Sequence, residues 1–204
     1  MKLKTKELLH ELKHHSPFTA IATVVGLMIA VLVIYFIKVN IDEKTFELFH
    51  FGHIFVSSIV TAAIFYKYKK NFFQALLVGS VSSMIIGSVS DILFPYLGGT
   101  LLNLKVSFHL PIVEIPLTII GISLLGSVFG TVTKLTKIPH FIHVFLSVFA
   151  SLFYLLAFSP SFNPLYLIAT FFIVFIAVII PCCISDIISP FLFLGERIKH
   201  CNCK

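Results

Sequence analysis

Residues 46–66 read FELFHFGHIFVSSIVTAAIFY, an apolar run that contains two histidines, His50 and His53, spaced three residues apart. A related stretch, HFIHVFLSVFASLFYLLAF, occupies residues 140–158 and begins with His140 and His143. Both runs approach or reach the length of about 20 apolar residues that a membrane-spanning helix needs. Ionisable side chains are costly inside a membrane and are functional candidates by default. The sequence therefore predicts a membrane protein whose chemistry lies at histidines within its helices.

The composition of the whole chain agrees with a polytopic membrane protein. Of the 204 residues, 58% are hydrophobic and only 12% are charged, whereas a soluble domain is about 25% charged. The net charge of +6 does not indicate nucleic-acid binding, because no basic stretch is interleaved with base-stacking aromatic residues. We expect a lipid bilayer and a metal ion as partners, and no nucleic acid. Whether the protein forms a homo-oligomer is left open by the sequence.

The fold class that we predict is all-α, with six transmembrane helices in a single membrane domain over residues 1–204. Residues 1–17 are interpreted as an amphipathic helix on the membrane surface, and residues 195–204 as a polar tail. Proline at or just before several helix starts supports the boundaries, because its missing N–H costs little there. The predicted helices cover residues 18–38, 46–66, 72–95, 111–132, 140–158 and 165–188.

The two histidine pairs belong to a longer internal correspondence. Ser90-Asp91-Ile92 with Pro95 is matched by Ser185-Asp186-Ile187 with Pro190. The correspondence predicts two three-helix repeats over residues 18–98 and 109–194. An odd number of helices in each repeat gives the halves opposite orientations, as in many secondary transporters.

The distribution of basic residues predicts how the helices are oriented. If both termini are cytosolic, twelve of the 15 lysines and arginines lie on the cytosolic side and three on the other. This asymmetry satisfies the positive-inside rule. We therefore expect a multi-pass protein, most simply in a prokaryotic cytoplasmic membrane, with both termini in the cytosol.

The spacing of the histidines indicates metal ligation. Residues three apart share a helix face, so the two imidazoles of each pair can point at one ion. Two imidazoles and a carboxylate are a common ligand set for zinc, iron, nickel or cobalt. Asp91 and Asp186 are predicted near helix C-termini, where the helix dipole opposes an anion and favours a nearby cation.

The predicted topology separates these ligands into two clusters, one towards each membrane face. The cluster on the non-cytosolic side comprises His50, His53 and Asp91, with His109 and Glu114 as completing ligands. The cytosolic cluster comprises His140, His143 and Asp186. Each residue also has a plain structural interpretation, such as a histidine bonded to a backbone carbonyl or Glu114 paired with Lys105.

The leading functional hypothesis is a divalent transition-metal ion transporter in which the two clusters alternate in access. A membrane-embedded metalloenzyme of the hydrolase or oxygenase type is the alternative, because the histidine pairs resemble the histidine boxes of membrane di-iron desaturases and hydroxylases. Those boxes would have to converge on one membrane face. Haem held by histidines of neighbouring helices is a third hypothesis, and it leaves the aspartates unexplained.

Overall fold

The computed structural model describes residues 5–38, 41–159 and 166–194, and all regular structure in this part of the chain is helical. Two π-helical segments, Val33–Ile37 and Val89–Leu93, interrupt or extend the α-helices. The α-helices are α1 (Thr5–Leu32), α2 (Glu43–Tyr68), α3 (Phe72–Ser88), α4 (Phe94–Leu101), α5 (Pro111–Glu114), α6 (Pro116–Thr133), α7 (Lys137–Phe158) and α8 (Leu167–Leu194).

Four helical segments within the described residues are long and apolar enough to cross a membrane. They are Glu43–Tyr68, Phe72–Leu101, Pro116–Thr133 and Ile138–Phe158, and they overlap the second to fifth predicted spans with shifted ends. The first and sixth predicted spans coincide with the shorter apolar segments Ser16–Leu32 and Leu167–Pro181. The protein thus has the helices of a membrane protein, while the six-span arrangement stays a prediction.

Polar and apolar residues are distributed as a bilayer requires. Large apolar side chains such as Phe73, Leu101 and Leu117 are more than 80% exposed on the outside of the bundle. Many serines, threonines and histidines, and one aspartate, are buried inside it. Lipid can cover an apolar exterior, whereas polar groups in a membrane need partners within the protein.

The second helix begins one turn earlier than residue 46, because an aspartate caps it. The Asp42 carboxylate accepts hydrogen bonds from the hydroxyl of Thr45 at 2.7 Å and from its backbone N–H at 3.0 Å. These bonds lower the pKa of Asp42, so the cap stabilises the helix above the ordinary carboxyl pKa and is lost as the pH falls through the lowered value. The earlier start adds Glu43 to α2.

The third predicted span does not end at residue 95, as expected, but continues through the π-helical segment into α4 and ends at Leu101. Pro95 explains the irregularity, since a proline ring clashes with the carbonyl four residues earlier, here that of Asp91. The N–H of Phe94 bonds to the carbonyl of Val89, five residues back. The freed carbonyl of Ser90 instead accepts the Ser151 hydroxyl at 3.1 Å. Asp91 therefore lies inside a helix, and the expectation that it lies near a helix C-terminus is wrong.

The predicted helix over residues 111–132 is divided into the single turn α5 and the longer α6. The break falls at Ile115, whose backbone leaves the helical region at φ −132° and ψ 57°. A residue that precedes proline is disfavoured in the α conformation, and Pro116 follows Ile115. A further difference occurs at α1, which continues through Pro17 from Thr5 to Leu32 rather than starting at residue 18.

The central helix of the bundle is α2, which packs against α3, α6, α7 and α8. It runs antiparallel to α7: Phe46, near its start, contacts Tyr154 and Phe158 near the end of α7, whereas His53 contacts His143 near the start of α7. This pairing brings the polar residues of the two helices together along one line.

Candidate functional site

We call His50, His53, Asp91 and His143 the buried cluster. At its centre lies the carboxylate of Asp91, which has no exposed surface. His50 Nδ1 and His53 Nδ1 donate to Asp91 Oδ2 at 2.8 and 2.7 Å. The other oxygen, Oδ1, accepts the hydroxyls of Ser90 at 2.7 Å and Ser147 at 3.0 Å. Both ring partners are also fully buried. The carboxylate therefore accepts four hydrogen bonds from three helical segments.

The position of Asp91 assigns the tautomers of His50 and His53. Because a carboxylate oxygen accepts, both Nδ1 atoms carry a proton, and in a neutral ring the lone pair then lies at Nε2. Neither Nε2 atom has a hydrogen-bond partner among the described residues, although both are buried. Metal-binding histidines commonly have this arrangement, in which a carboxylate orients the ring through one nitrogen and the other nitrogen binds the metal. The geometry favours Asp91 as an orienting group rather than a direct ligand.

His143 joins the same cluster from the opposite helix. Its ring stacks on that of His53, with centroids 5.7 Å apart and planes inclined by 10°. Ser147, one turn further along α7, supplies the bond to Asp91. The prediction that the two histidine pairs form separate clusters at opposite membrane faces is therefore wrong. Antiparallel packing of α2 and α7 places His53 and His143 at one depth.

His140 extends this arrangement along α7. Its ring lies 5.1 Å from the ring of His143, with the planes nearly perpendicular at 76°. It is less buried than His143 and lies within the first turn of α7. The side chain of Asp186, the predicted third member of this set, lies outside the described residues.

A second group, the rim cluster, lies at the start of α2 and comprises Glu43, Glu47, His109 and Glu114. His109 Nδ1 is 2.9 Å from Glu114 Oε1, and its Nε2 is 3.9 Å from both Glu43 Oε1 and Glu47 Oε1. The His109 side chain is 8% exposed, while those of Glu43 and Glu114 are 56% and 49% exposed. An almost buried imidazole thus faces carboxylates that contact solvent.

The chemistry of the rim cluster suits a metal ion. Glu43, His109 and Glu114 each offer a ligand atom, and these atoms lie within 4.8 Å of one another. This separation is compatible with a metal ion beside His109, whose Nδ1 is bonded to Glu114. Glu114 also accepts the backbone N–H of Leu110 at 3.2 Å, and its partners are these groups rather than Lys105.

A single aromatic side chain separates the two clusters. Phe46 is fully buried and stacks on His50 at 5.4 Å, while its ring meets that of His109 edge-on at 6.0 Å. His109 and Glu114 were predicted from the sequence to complete the site of His50, His53 and Asp91. In the structure they do not. They lie beyond Phe46 in a site of their own.

The sequence reasoning missed Glu43 and Glu47 as members of a site. The signal was available in the spacing, because positions 43, 47, 50, 53, 57 and 61 recur at intervals of three or four and carry Glu, Glu, His, His, Ser and Thr. Such spacing produces one polar stripe along a helix. Tyr154 was missed as well, and its hydroxyl accepts the His109 N–H at 3.2 Å.

The chain was compared with families, curated proteins and solved structures. No protein-family model, no curated protein and no solved structure matches it. The function is therefore inferred from the geometry of the two clusters.

Proposed function

We propose that the protein is a membrane transporter of divalent transition-metal ions, and that the buried cluster binds the ion on its way across. The observation that carries the proposal is the fully buried Asp91, which holds two imidazoles while leaving both of their Nε2 atoms without a described partner. A buried polar atom without a partner costs about 1–3 kcal/mol. A cation bound at either nitrogen would remove that cost for the atom that ligates it.

The order of polar groups along the bundle supports transport rather than a purely structural role. From the rim cluster, the line passes Phe46 to His50 and Asp91, then His53, His143 and His140. Along α7 alone, the distance from Tyr154 to His140 is about 21 Å at about 1.5 Å per residue. Since the hydrocarbon core is about 30 Å thick, this row of polar residues is long enough to extend through most of it.

Imidazole chemistry would also couple metal movement to protons. Histidine must be neutral at the ligating nitrogen, so metal binding releases protons and weakens as the pH falls. We therefore expect metal uptake to slow on acidification. A proton gradient is accordingly a suitable driving force for this site.

A membrane metalloenzyme is the second candidate, and one observation favours it. His50 and His53 share Asp91, and His143 stacks on His53, so histidines of both pairs lie together, as the histidine boxes of membrane di-iron enzymes require. For such an enzyme, purified protein would hold iron in the buried cluster but would move no metal across a membrane.

The test is metal uptake into liposomes that contain the purified full-length protein and an enclosed zinc-sensitive dye. Asp91→Asn and the double variant His50→Gln/His53→Gln should abolish uptake. Asp42→Asn serves as the matched control, because asparagine keeps the helix cap and the carboxylate is exposed. Uptake by Asp91→Asn at the wild-type rate would refute transport through the buried cluster, provided that its melting temperature shows a folded protein.

A further inference from the structure

The rim cluster combines one nearly buried nitrogen with a pair of carboxylates. His109 Nε2 is buried and has no hydrogen-bond partner among the described residues. It lies equally far, 3.9 Å, from Glu43 Oε1 and Glu47 Oε1. His109 Nε2 and either of these carboxylate oxygens can therefore both lie about 2.1 Å from one ion placed between them, which is the usual length of such metal–ligand bonds.

The remaining contacts of His109 hold its ring in position for such an ion. Glu114 accepts the proton of Nδ1 at 2.9 Å, which leaves the lone pair at Nε2. Phe158 stacks on the ring at 4.8 Å, and the Tyr154 hydroxyl holds the backbone N–H. The imidazole is therefore held by one hydrogen bond and one stacking contact, and the backbone of His109 by a third contact.

The two glutamates give an independent reason for a cation. Glu43 and Glu47 are four residues apart on α2 and share a face, where like charges repel. The side chain of Glu47 is only 22% exposed, so water screens this repulsion incompletely. A divalent cation between them would relieve it.

We propose that Glu43, Glu47 and His109 form a second metal site, distinct from the buried cluster, in which Glu114 positions the imidazole and does not ligate. One imidazole with carboxylates and water suits a divalent first-row transition ion. The site does not depend on transport, since an enzyme or a receptor would bind metal there equally well.

The test uses Mn²⁺ as the probe and full-length protein in detergent. Carboxylate and imidazole suit Mn²⁺ better than thiolate does, so the thiols of Cys201 and Cys203 interfere little. Binding is measured by the loss of the free Mn²⁺ resonance, and histidine ligation by nitrogen modulation in pulsed electron paramagnetic resonance. Every sample also carries Asp91→Asn, which removes the group that orients the histidines of the buried cluster.

In this background, His109→Gln should abolish the nitrogen modulation. Glu47→Gln should weaken Mn²⁺ binding at least tenfold, and Glu114→Gln, which disturbs only the orienting bond, should weaken it about 10–100-fold while the modulation persists. Asp42→Asn should leave the affinity within twofold, because it removes a neighbouring charge that does not point into the site.

Two results would overturn the proposal. One is nitrogen modulation that survives His109→Gln. The other is an unchanged affinity in Glu47→Gln, or an equal loss in Asp42→Asn, since general surface charge would then explain the binding. Either result leaves the uptake assay on Asp91→Asn untouched, so failure of the rim site and failure of the transport proposal are distinguishable.

Discussion

Asp91 is the residue on which the interior of the bundle depends. It is an ionisable group with no exposed surface, and it accepts two imidazole and two hydroxyl hydrogen bonds. An isolated buried carboxylate is strongly disfavoured, so each donor contributes to keeping it there. Its two histidine partners could be anticipated, because His50, His53 and Asp91 were predicted as one group. Ser147 could not, since nothing local indicates that residue 147 lies beside residue 91.

Removing the Ser147 hydroxyl tests the value of one of these bonds. Hydrogen bonds to charged groups contribute about 1.5–3 kcal/mol in soluble proteins, but side-chain bonds within membranes average about 0.6 kcal/mol. Because the acceptor is a buried carboxylate, we expect Ser147→Ala to lower the free energy of unfolding by about 1–2 kcal/mol, measured by denaturation in mixed detergent micelles.

Ser83→Ala provides the control for Ser147→Ala. Ser83 is equally buried, but its hydroxyl bonds to the Ser80 carbonyl of its own helix at 3.1 Å. Its loss should cost about 0.6 kcal/mol or less. Equal losses in the free energy of unfolding would mean that the bond to Asp91 stabilises the protein no more than a hydrogen bond within one helix.

At the scale of elements, α2 and α6 pack closely where glycines of α6 meet the backbone of α2. A Cβ atom at Gly126 would collide with the Phe55 carbonyl and the Ser58 hydroxyl of α2. Small residues four apart, here Gly126 and Gly130, allow membrane helices to approach this closely. The partner helix was not evident from the sequence, because any neighbouring helix could have occupied that face.

The packing of α2 and α6 predicts a contrast between two glycine substitutions in the same helix. Gly126→Ala should destabilise the protein by about 1–3 kcal/mol, the usual cost of overpacking. Gly121→Ala should be neutral or stabilising by up to about 1 kcal/mol, because nothing lies within 4 Å of its added Cβ. Thermal unfolding in detergent measures both, and a lower melting temperature for Gly121→Ala than for Gly126→Ala would contradict the packing argument.

At the scale of the whole molecule, the two clusters and His140 form one row of polar residues, in which the apolar side chain of Phe46 lies between the two clusters. Its ring contacts both His50 and His109. Under the proposed function, this side chain lies between the rim cluster and the buried cluster on the path of the ion. Phe46 therefore controls exchange between the clusters under the proposed function.

Replacing Phe46 tests this control. Phe46→Leu keeps an apolar side chain but removes the flat ring between the two imidazoles, so metal should reach the buried cluster several-fold faster in stopped-flow measurements. Phe49→Leu is the matched control, because Phe49 packs against Phe149 and Phe153 of α7. Identical loading rates for wild type and Phe46→Leu would exclude a gating role.

The inverted-repeat organisation, which stays a prediction, makes a further claim about the second half of the chain. His53 and His143 are counterparts in the predicted repeats, and their rings stack in the structure. On this interpretation, Asp186 serves as the counterpart of Asp91. Asp186→Asn should then reduce zinc uptake as strongly as Asp91→Asn does, and uptake at the level of the Asp42→Asn control would count against a functional second repeat.

The sequence by itself determined that the chain is helical and membrane-like, and it singled out the histidines and Asp91 but not Glu43 and Glu47. Those properties follow from composition, apolar run length and helical spacing, which are local. The grouping of the residues was decided only by the tertiary structure. Antiparallel packing of α2 and α7 joins His53 to His143, and Phe46 separates His109 from His50. The physical reason is that local periodicity fixes the face on which a side chain lies, whereas its depth relative to a neighbouring helix depends on how the two helices pack.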